Sequence, residues 1–189
     1  MSAQDSKLFV ISGPSGAGKG TLVTRVRELR SNLGLTVSAT TRAPRKGEVD
    51  GVNYFFLTRE EFDRRVANGE FVEWAEVHGN CYGTLVSEVT SKLASGSSLI
   101  LEIDVQGALQ VKERFPEAVL IFIKPPSLEV LRERLVGRGT ETPETIELRM
   151  ANAADELALA DRYDDVVVND DLDRATDELV RVLDMHERI

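Results

Sequence analysis

The sequence predicts an α/β fold three layers thick, with a parallel central sheet, on three observations. Short apolar runs bounded by turn residues recur along the chain, as strands buried on both faces do. Segments of helical periodicity lie between and after them. The two kinds alternate, the order expected of strand–helix–strand units wound about one sheet. The predicted strands are Leu8–Ser12, residues 99–104, Val119–Lys124 and Asp165–Val168. The predicted helices carry Leu22, Val26 and Leu29 on one face, then Leu128, Leu131 and Leu135 behind the start signal Pro126-Ser127, then Leu172, Ala175, Leu179 and Val182.

Two stretches break the alternation. Between residues 36 and 84, short extended pieces (36–40, 54–57 and 71–76) surround one helix over residues 60–67. Thr58 and Glu61 announce that helix at capping-box spacing, and Gly69 ends it. This reads as an α+β lobe inserted into the core. Between residues 127 and 159, one helix ends at Gly137-Arg138-Gly139 and another starts with Thr142 as N-cap and Pro143 in its first turn. An Arg-rich helical hairpin between core strands reads as a lid. Residues 1–35, 85–126 and 160–189 form the core, and the 189 residues make one domain.

Composition narrows the class. With 42% hydrophobic and 29% charged residues, the chain has an ordinary globular composition. At this length folding buries roughly 70% of the unfolded surface, so neither disulfides nor a structural metal is required. The longest clearly apolar run, residues 118–123, falls far short of the roughly 20 needed to cross a bilayer. Residues 1–7 are polar and the apolar stretch after them is too short for a secretion signal, so a cytoplasmic protein is expected. The single cysteine, Cys81, suits a reducing compartment. A net charge of −9 disfavours broad contact with nucleic acid but leaves room for a local basic pocket.

The strongest motif follows the first strand. Leu8–Ser12 runs into Gly13-Pro14-Ser15-Gly16-Ala17-Gly18-Lys19-Gly20-Thr21, which opens the first helix. Strand, glycine loop and helix are the context of a P-loop. The glycines let backbone N–H groups converge on an anion, the helix N-terminus adds its positive end, and Lys19 reaches the β- and γ-phosphates. The expected ligand is a nucleoside triphosphate. One position departs from GxxxxGK(S/T): residue 20 is Gly, so the hydroxyl that usually coordinates Mg²⁺ is missing. Thr21 offers a hydroxyl one residue later, suited to the α-phosphate or a metal-bound water. The loop alone leaves open a GTPase, a motor, a transporter subunit or a small-molecule kinase.

The inserted lobe narrows that choice. Its segments Ser38-Ala-Thr-Thr-Arg42-Ala-Pro-Arg45-Lys-Gly47-Glu48-Val-Asp-Gly51-Val-Asn-Tyr54-Phe-Phe56 and Phe71-Val-Glu73-Trp-Ala-Glu76-Val-His-Gly79-Asn80-Cys-Tyr82-Gly83-Thr84 closely resemble the guanylate kinase family. The motif Leu101-Glu102-Ile-Asp104-Val-Gln-Gly107, the lid arginines Arg134, Arg138 and Arg149, and Val168-Asn169-Asp170-Asp171 follow in the family's order, so the resemblance spans essentially the whole chain. It implies a P-loop NTPase fold with a GMP-binding lobe at residues 36–84 and a helical lid at residues 127–159. The implied reaction is MgATP plus GMP giving ADP plus GDP, with Mg²⁺ as cofactor and dGMP as a further expected acceptor.

The resemblance carries roles residue by residue. Arg42, Arg45, Tyr54 and Tyr82 would hold the GMP phosphate, which suits two guanidinium forks and two phenols. Glu73 would read the base, since a carboxylate accepts two hydrogen bonds from guanine's N1–H and N2 amine where adenine offers an acceptor and a C–H. Ser38, Thr84 and Asp104 are the remaining guanine contacts. Residues 13–21 with Arg134, Arg138 and Asn169 would bind ATP, Asn169 near the adenine base. Lys19, Arg42, Arg138 and Arg149 are the catalytic candidates, the lid arginines neutralising charge on the transferring group. Glu102 stands where many relatives have Asp, and with Thr21 it is the candidate metal ligand, Mg²⁺ being held mostly through water and ATP phosphates.

No nucleophile is called for. The expected partners are ATP and GMP, with no nucleic acid and no membrane, and the oligomeric state is left open. Two alternatives stand beside this reading. The Gly-Lys-Gly-Thr loop ending also resembles adenylate kinases, although the lobe speaks against them. A non-catalytic guanylate-kinase-like module that binds phosphorylated proteins is the other, although Lys19 and the lid arginines are present. His78 and Cys81 are three apart with no second ligand pair, so zinc is disfavoured and Cys81 reads as a packing residue.

Overall fold

In the computed structural model, which describes residues 6–77, 79–137 and 142–187, all five residues of strand β1 (Leu8–Ser12) are buried. A strand buried on both faces must also bond along both edges, and β1 does. It lies in a parallel five-stranded sheet made with β2 (Gly34–Leu35), β7 (Leu99–Glu102), β8 (Val119–Lys124) and β9 (Asp165–Val168), in the order β2-β7-β1-β8-β9. Successive side chains point to opposite faces. Phe9 and Ile11 therefore pack with Leu22 and Val26 of α1 (Lys19–Leu29) and Leu179 and Leu183 of α7 (Leu172–Glu187). Leu8 and Val10 pack on the other face with Val89 of α3 (Val86–Ala94) and Val111 of α4 (Val105–Arg114). The predicted three layers follow from that alternation.

The stretch 36–84 supplies a second sheet. Strands β3 (Ala39–Thr40), β4 (Phe55–Phe56), β5 (Phe71–Val77) and β6 (Asn80–Leu85) lie in the order β4-β3-β6-β5 around a core of Ala39, Phe62, Phe71, Cys81 and Leu85. Phe62 comes from α2 (Arg59–Ala67), and its ring stacks on Phe71 with centroids 4.3 Å apart. Cys81 is thus a packing residue. Thr58 caps α2 by accepting the Glu61 N–H at 3.1 Å. The reciprocal half of the capping box does not form: Glu61 pairs with Arg64 and Arg65, and their hydrogen bonds hold its carboxyl down at about 2.

Helices α5 (Leu128–Gly137) and α6 (Pro143–Leu157) pack through Leu131, Leu135, Met150 and Ala153, and Thr142 caps α6 by accepting the Thr145 N–H. Among the described residues no helix is long and apolar enough to cross a membrane.

The sequence reading needs four corrections. Leu29 does not complete the α1 stripe; it is 66% exposed, and the buried stripe runs through Leu22, Val23 and Val26 to the half-buried Arg30. Arg30 continues it because α7 presents Asp184 and Glu187 there, and the guanidinium pairs with both. Leu128 likewise lies at the rim of its helix, whereas Val182 packs against the core beside Leu183 as its spacing predicts. The strand expected over residues 99–104 stops at Glu102, because Asp104 accepts the Gly107 N–H at 2.7 Å and starts α4. Strands β2 and β6 escaped the reading: β2 has two residues, and β6 holds Gly83 and Asn80, poor strand formers that only a partner strand stabilises.

The α1–α7 clamp yields a test. Glu187 keeps only 4% of its side chain exposed, so removing its partner leaves a buried charge. Arg30→Met should lower unfolding free energy by about 2–4 kcal/mol in urea denaturation, while the double variant with Glu187→Leu should regain most of it.

Candidate active site

The carboxyl ends of β1 and β7 open onto one crevice, where parallel sheets of this kind bind ligands. At the end of β1 the chain must turn beside β8. A Cβ on Gly13 would lie 2.2 Å from the Ile123 carbonyl oxygen, and the backbone there has φ 137°, so only glycine fits. The loop that follows, residues 13–18, is braced from outside. Asn169, 6% exposed, donates from Nδ2 to the Ala17 carbonyl at 2.8 Å. Arg134 donates to the Asn169 carbonyl at 2.8 Å, and Arg149 donates to Ser15 Oγ at 2.7 Å. Both arginines come from the helical hairpin, so it already touches the loop. Lys19 Nζ donates to the Gly13 and Pro14 carbonyls at 2.5 and 3.1 Å, folded back over the loop at the start of α1.

Two clefts meet at this loop. One, of about 310 Å³, is lined by Ser15, Gly16, Gly18, Lys19, Gly20, Thr21 and Glu102. The other, of about 490 Å³, shares Gly16, Gly18 and Thr21 and adds Arg134, Gly137, Asn169, Asp170 and Leu172. The first is lined by glycine backbone and a lysine, a setting that suits an anion, and the second extends past them towards Asn169. Burial pushes the Glu102 carboxyl above its ordinary range, with Lys19 pulling the other way.

The second sheet brings its own polar group to face the core. Register pairs Glu73 of β5 with Thr84 of β6, and Thr84 Oγ1 donates to Glu73 Oε1 at 2.7 Å. The other oxygen, Oε2, lies against the first turn of α4: a Cβ on Gly107 would sit 3.3 Å from it and 3.4 Å from Asp104 Oδ1. Glycine at 107 is what lets the carboxylate approach the helix this closely. Desolvation pushes the Glu73 carboxyl up, the Thr84 hydroxyl opposes this, and Asp104 adds like-charge repulsion.

Nearer the lobe's loop, Arg42 Nη2 donates to both oxygens of Glu48, at 2.9 and 3.0 Å, and Nη1 to the Ala43 carbonyl at 2.7 Å. Its guanidinium lies 5.5 Å from the Tyr54 ring centre and 5.9 Å from that of Phe56, with Tyr82 alongside. Tyr54 and Tyr82 meet edge to face at 6.2 Å. Glu48 also accepts the Arg45 N–H at 2.7 Å, while the Arg45 side chain is exposed. The Ser38 carbonyl accepts the Phe55 N–H, which ties β3 to β4.

The predicted residues thus fall into two groups around one crevice. Lys19, Thr21, Glu102, Arg134, Arg149 and Asn169 gather at the glycine loop, and Glu73, Thr84 and Asp104 gather at α4, with Arg42, Tyr54 and Tyr82 forming a cluster beside them. Arg138 and His78 lie outside the described residues. Sequence reasoning missed Glu48, although an acid between Gly47 and Gly51 in an arginine-rich loop was a signal. It also missed Gly107, read only as part of a motif, and Glu156 at the end of α6, whose carboxyl is raised by burial and by Asp104 while Lys19 lowers it. Nothing local marked Glu156.

Comparison with known proteins decides the family. The family model described as guanylate kinase matches residues 5–186. This chain belongs to the guanylate kinase family. It is 52% identical to the guanylate kinase of Halalkalibacterium halodurans over 97% of this chain and 90% of that relative. It is 56% identical to that of Gloeobacter violaceus over 94% of this chain and 87% of the relative. The crystal structure of the guanylate kinase from Anaplasma phagocytophilum superposes with a TM-score of 0.73 at 36% identity, over 97% of this chain and 87% of that one. The family match spans both sheets and both helices of the hairpin.

Glu73 sits at a cost to stability. Its raised value means the folded protein binds the proton more readily than the unfolded chain, so it destabilises at neutral pH and ceases to do so as pH falls through the folded value towards the unfolded one. Glu73→Gln should therefore raise Tm at pH 7. Calorimetry near pH 4 should find that gain shrunken.

Proposed function

We propose that the chain transfers the terminal phosphoryl group of ATP to GMP, releasing ADP and GDP, with residues 36–84 holding GMP and residues 127–159 closing over ATP. The observation that carries this reading is the half-buried Glu73, one oxygen bonded to Thr84 and the other against the first turn of α4 beside Asp104. A guanine edge donates twice to such a group. An adenine edge leaves it unpaired, which supports rejection of AMP by a large factor.

The roles follow from chemistry. ATP phosphates take the 310 Å³ cleft, where Lys19 exchanges the Gly13 and Pro14 carbonyls for the β- and γ-phosphates. The base takes the cleft beside Asn169. The GMP phosphate exchanges for part of Arg42's contact with Glu48, joined by Arg45, Tyr54 and Tyr82, while Ser38, Thr84 and Asp104 complete the guanine side. Glu48 keeps Arg42 oriented before substrate arrives. Arg149 and Arg134 move from the loop to the transferring group and neutralise its charge, a role that Arg138 shares. The chain supplies no nucleophile, because the GMP phosphate is itself the attacking group and is largely ionised near neutral pH. Closure of lobe and hairpin excludes water that would otherwise take the phosphoryl group.

Mg²⁺ fits the cleft chemically: Thr21 and Glu102 present oxygen to it, the donor type this ion prefers. When bound it neutralises phosphate charge. A cytoplasmic setting suits a chain whose one cysteine is buried.

The test is ADP release from MgATP with GMP, dGMP, AMP, UMP and CMP offered in turn. Turnover with GMP, alone or with dGMP, is the expected result; preference for AMP would defeat the Glu73 argument, and no turnover at all would favour a phosphoprotein-binding module. Lys19→Ala should lower kcat about 10²–10³-fold. Gly107→Ala should raise the KM for GMP about tenfold without changing that for ATP, because the added methyl crowds Glu73; steady-state kinetics with each nucleotide varied will check this.

A further inference from the structure

Strand β5 departs from regular alternation near its start, and the departure decides where Glu73 points. In an unbroken strand Phe71 and Glu73 would share one face and Val72 and Trp74 the other. Instead Phe71 and Trp74 both meet the Phe62 ring of the lobe, at centroid distances of 4.3 and 6.3 Å. Val72 joins the cluster that holds Val105, Ala108 and Val111 of α4, and Glu73 brings Oε2 to the same helix at Gly107. Register gives the cause: Phe71 pairs with Leu85 and Glu73 with Thr84, so β5 advances two residues while β6 advances one. Val72 is the extra residue of a β-bulge, an irregularity that re-aims side chains beside active sites.

Two residues outside β5 fit this bulge. Gly83 of β6 lies opposite it: a Cβ there would stand 2.8 Å from the Glu73 carbonyl oxygen, 2.8 Å from Phe71 Cδ1 and 2.9 Å from Trp74 Cβ. From the helix side, Arg114 at the end of α4 donates through Nη1 to the Phe71 carbonyl at 3.0 Å, the peptide that leads into the extra residue. Its Nη2 donates to the Gly69 carbonyl. Packing is not continuous here, for a hollow of about 390 Å³ is lined by Phe71, Val72 and Trp74 of β5 and by Gln110, Glu113 and Arg114 of α4. The apolar contact of Val72 has no direction, whereas two charge-assisted hydrogen bonds from one guanidinium fix where the strand sits along the helix. We propose that Arg114 is a positioning residue for base recognition: by holding the Phe71 carbonyl it keeps the bulge at Val72, and the bulge keeps Glu73 turned to the guanine edge.

This inference rests on Glu73 as the guanine reader, so one measurement uses GMP and one does not. In steady-state kinetics of the full chain, Arg114→Met keeps the apolar stem and removes both donors. It should raise the KM for GMP about fivefold and change kcat and the KM for ATP less than about twofold. Arg114→Lys, which can still donate to one carbonyl, should return the KM for GMP to within about twofold of wild type. The chain has one tryptophan, Trp74, beside the bulge. Acrylamide quenching of its fluorescence without nucleotide should rise about twofold in Arg114→Met and stay near the wild-type level in Arg114→Lys. Gly83→Ala should move both readouts in the same direction and further.

Thermal unfolding checks that each variant is folded, and Arg114→Met serves if Gly83→Ala does not fold. An unchanged KM for GMP in Arg114→Met, an equal rise in its KM for ATP, or no recovery with lysine overturns the proposal. Unchanged quenching of Trp74 does so as well. If the wild type turns over no GMP, the acceptor assignment fails, and quenching in Arg114→Met still decides whether the guanidinium holds the bulge.

Discussion

Everything at the crevice depends on β1 being buried on both faces and hydrogen-bonded along both edges. A strand so placed can end only by turning sharply, and the turn takes place against the Ile123 carbonyl of β8, where a side chain has no room. The glycine loop and α1 start from that point. Because β7 runs parallel beside β1, its carboxyl end delivers Glu102 and Asp104 to the same edge of the sheet. Phosphate cradle, carboxylates and the start of α4 are neighbours because parallel strands end together.

The site gathers charge that the chain as a whole does not have. Against a net charge of −9, the loop region collects Lys19, Arg134 and Arg149, each already engaged with protein oxygens. Arg42 is likewise engaged with Glu48, and its carboxylate is held below the ordinary range by that hydrogen bond. Such contacts hold the donors near where phosphate oxygens would arrive, and anionic ligands displace them at small cost because one oxygen acceptor replaces another. Glu73 is the opposite case: its half-buried carboxylate is partly desolvated beside Asp104, and the Thr84 hydroxyl offsets only part of that cost.

The second sheet turns this local chemistry into a two-sided site. Pairing of β5 with β6 sets Thr84 opposite Glu73, and the close approach at Gly107 brings the lobe's carboxylate onto a helix of the core. Arg114, at the far end of the same helix, donates to the Gly69 and Phe71 carbonyls at the start of β5. Helix α4 therefore contacts the lobe at both ends.

By itself, the sequence determined the layers, the glycine loop, the lobe and hairpin, and most residues at the crevice. These follow from patterns along the chain: apolar runs with period two or 3.6, capping residues such as Thr58 and Thr142, and motifs a few residues long. The tertiary structure decided which residues complete the site from elsewhere. Glu48 under Arg42, Gly107 beneath Glu73 and Glu156 near Lys19 depend on distances between segments as many as 137 residues apart in sequence, for Glu156 and Lys19, and no local periodicity encodes these. The same holds for Leu29, whose apolar spacing predicted burial: whether a helical face meets a core or a rim is set by where the neighbouring helix ends, and α7 ends there in Asp184 and Glu187, which hold Arg30 instead.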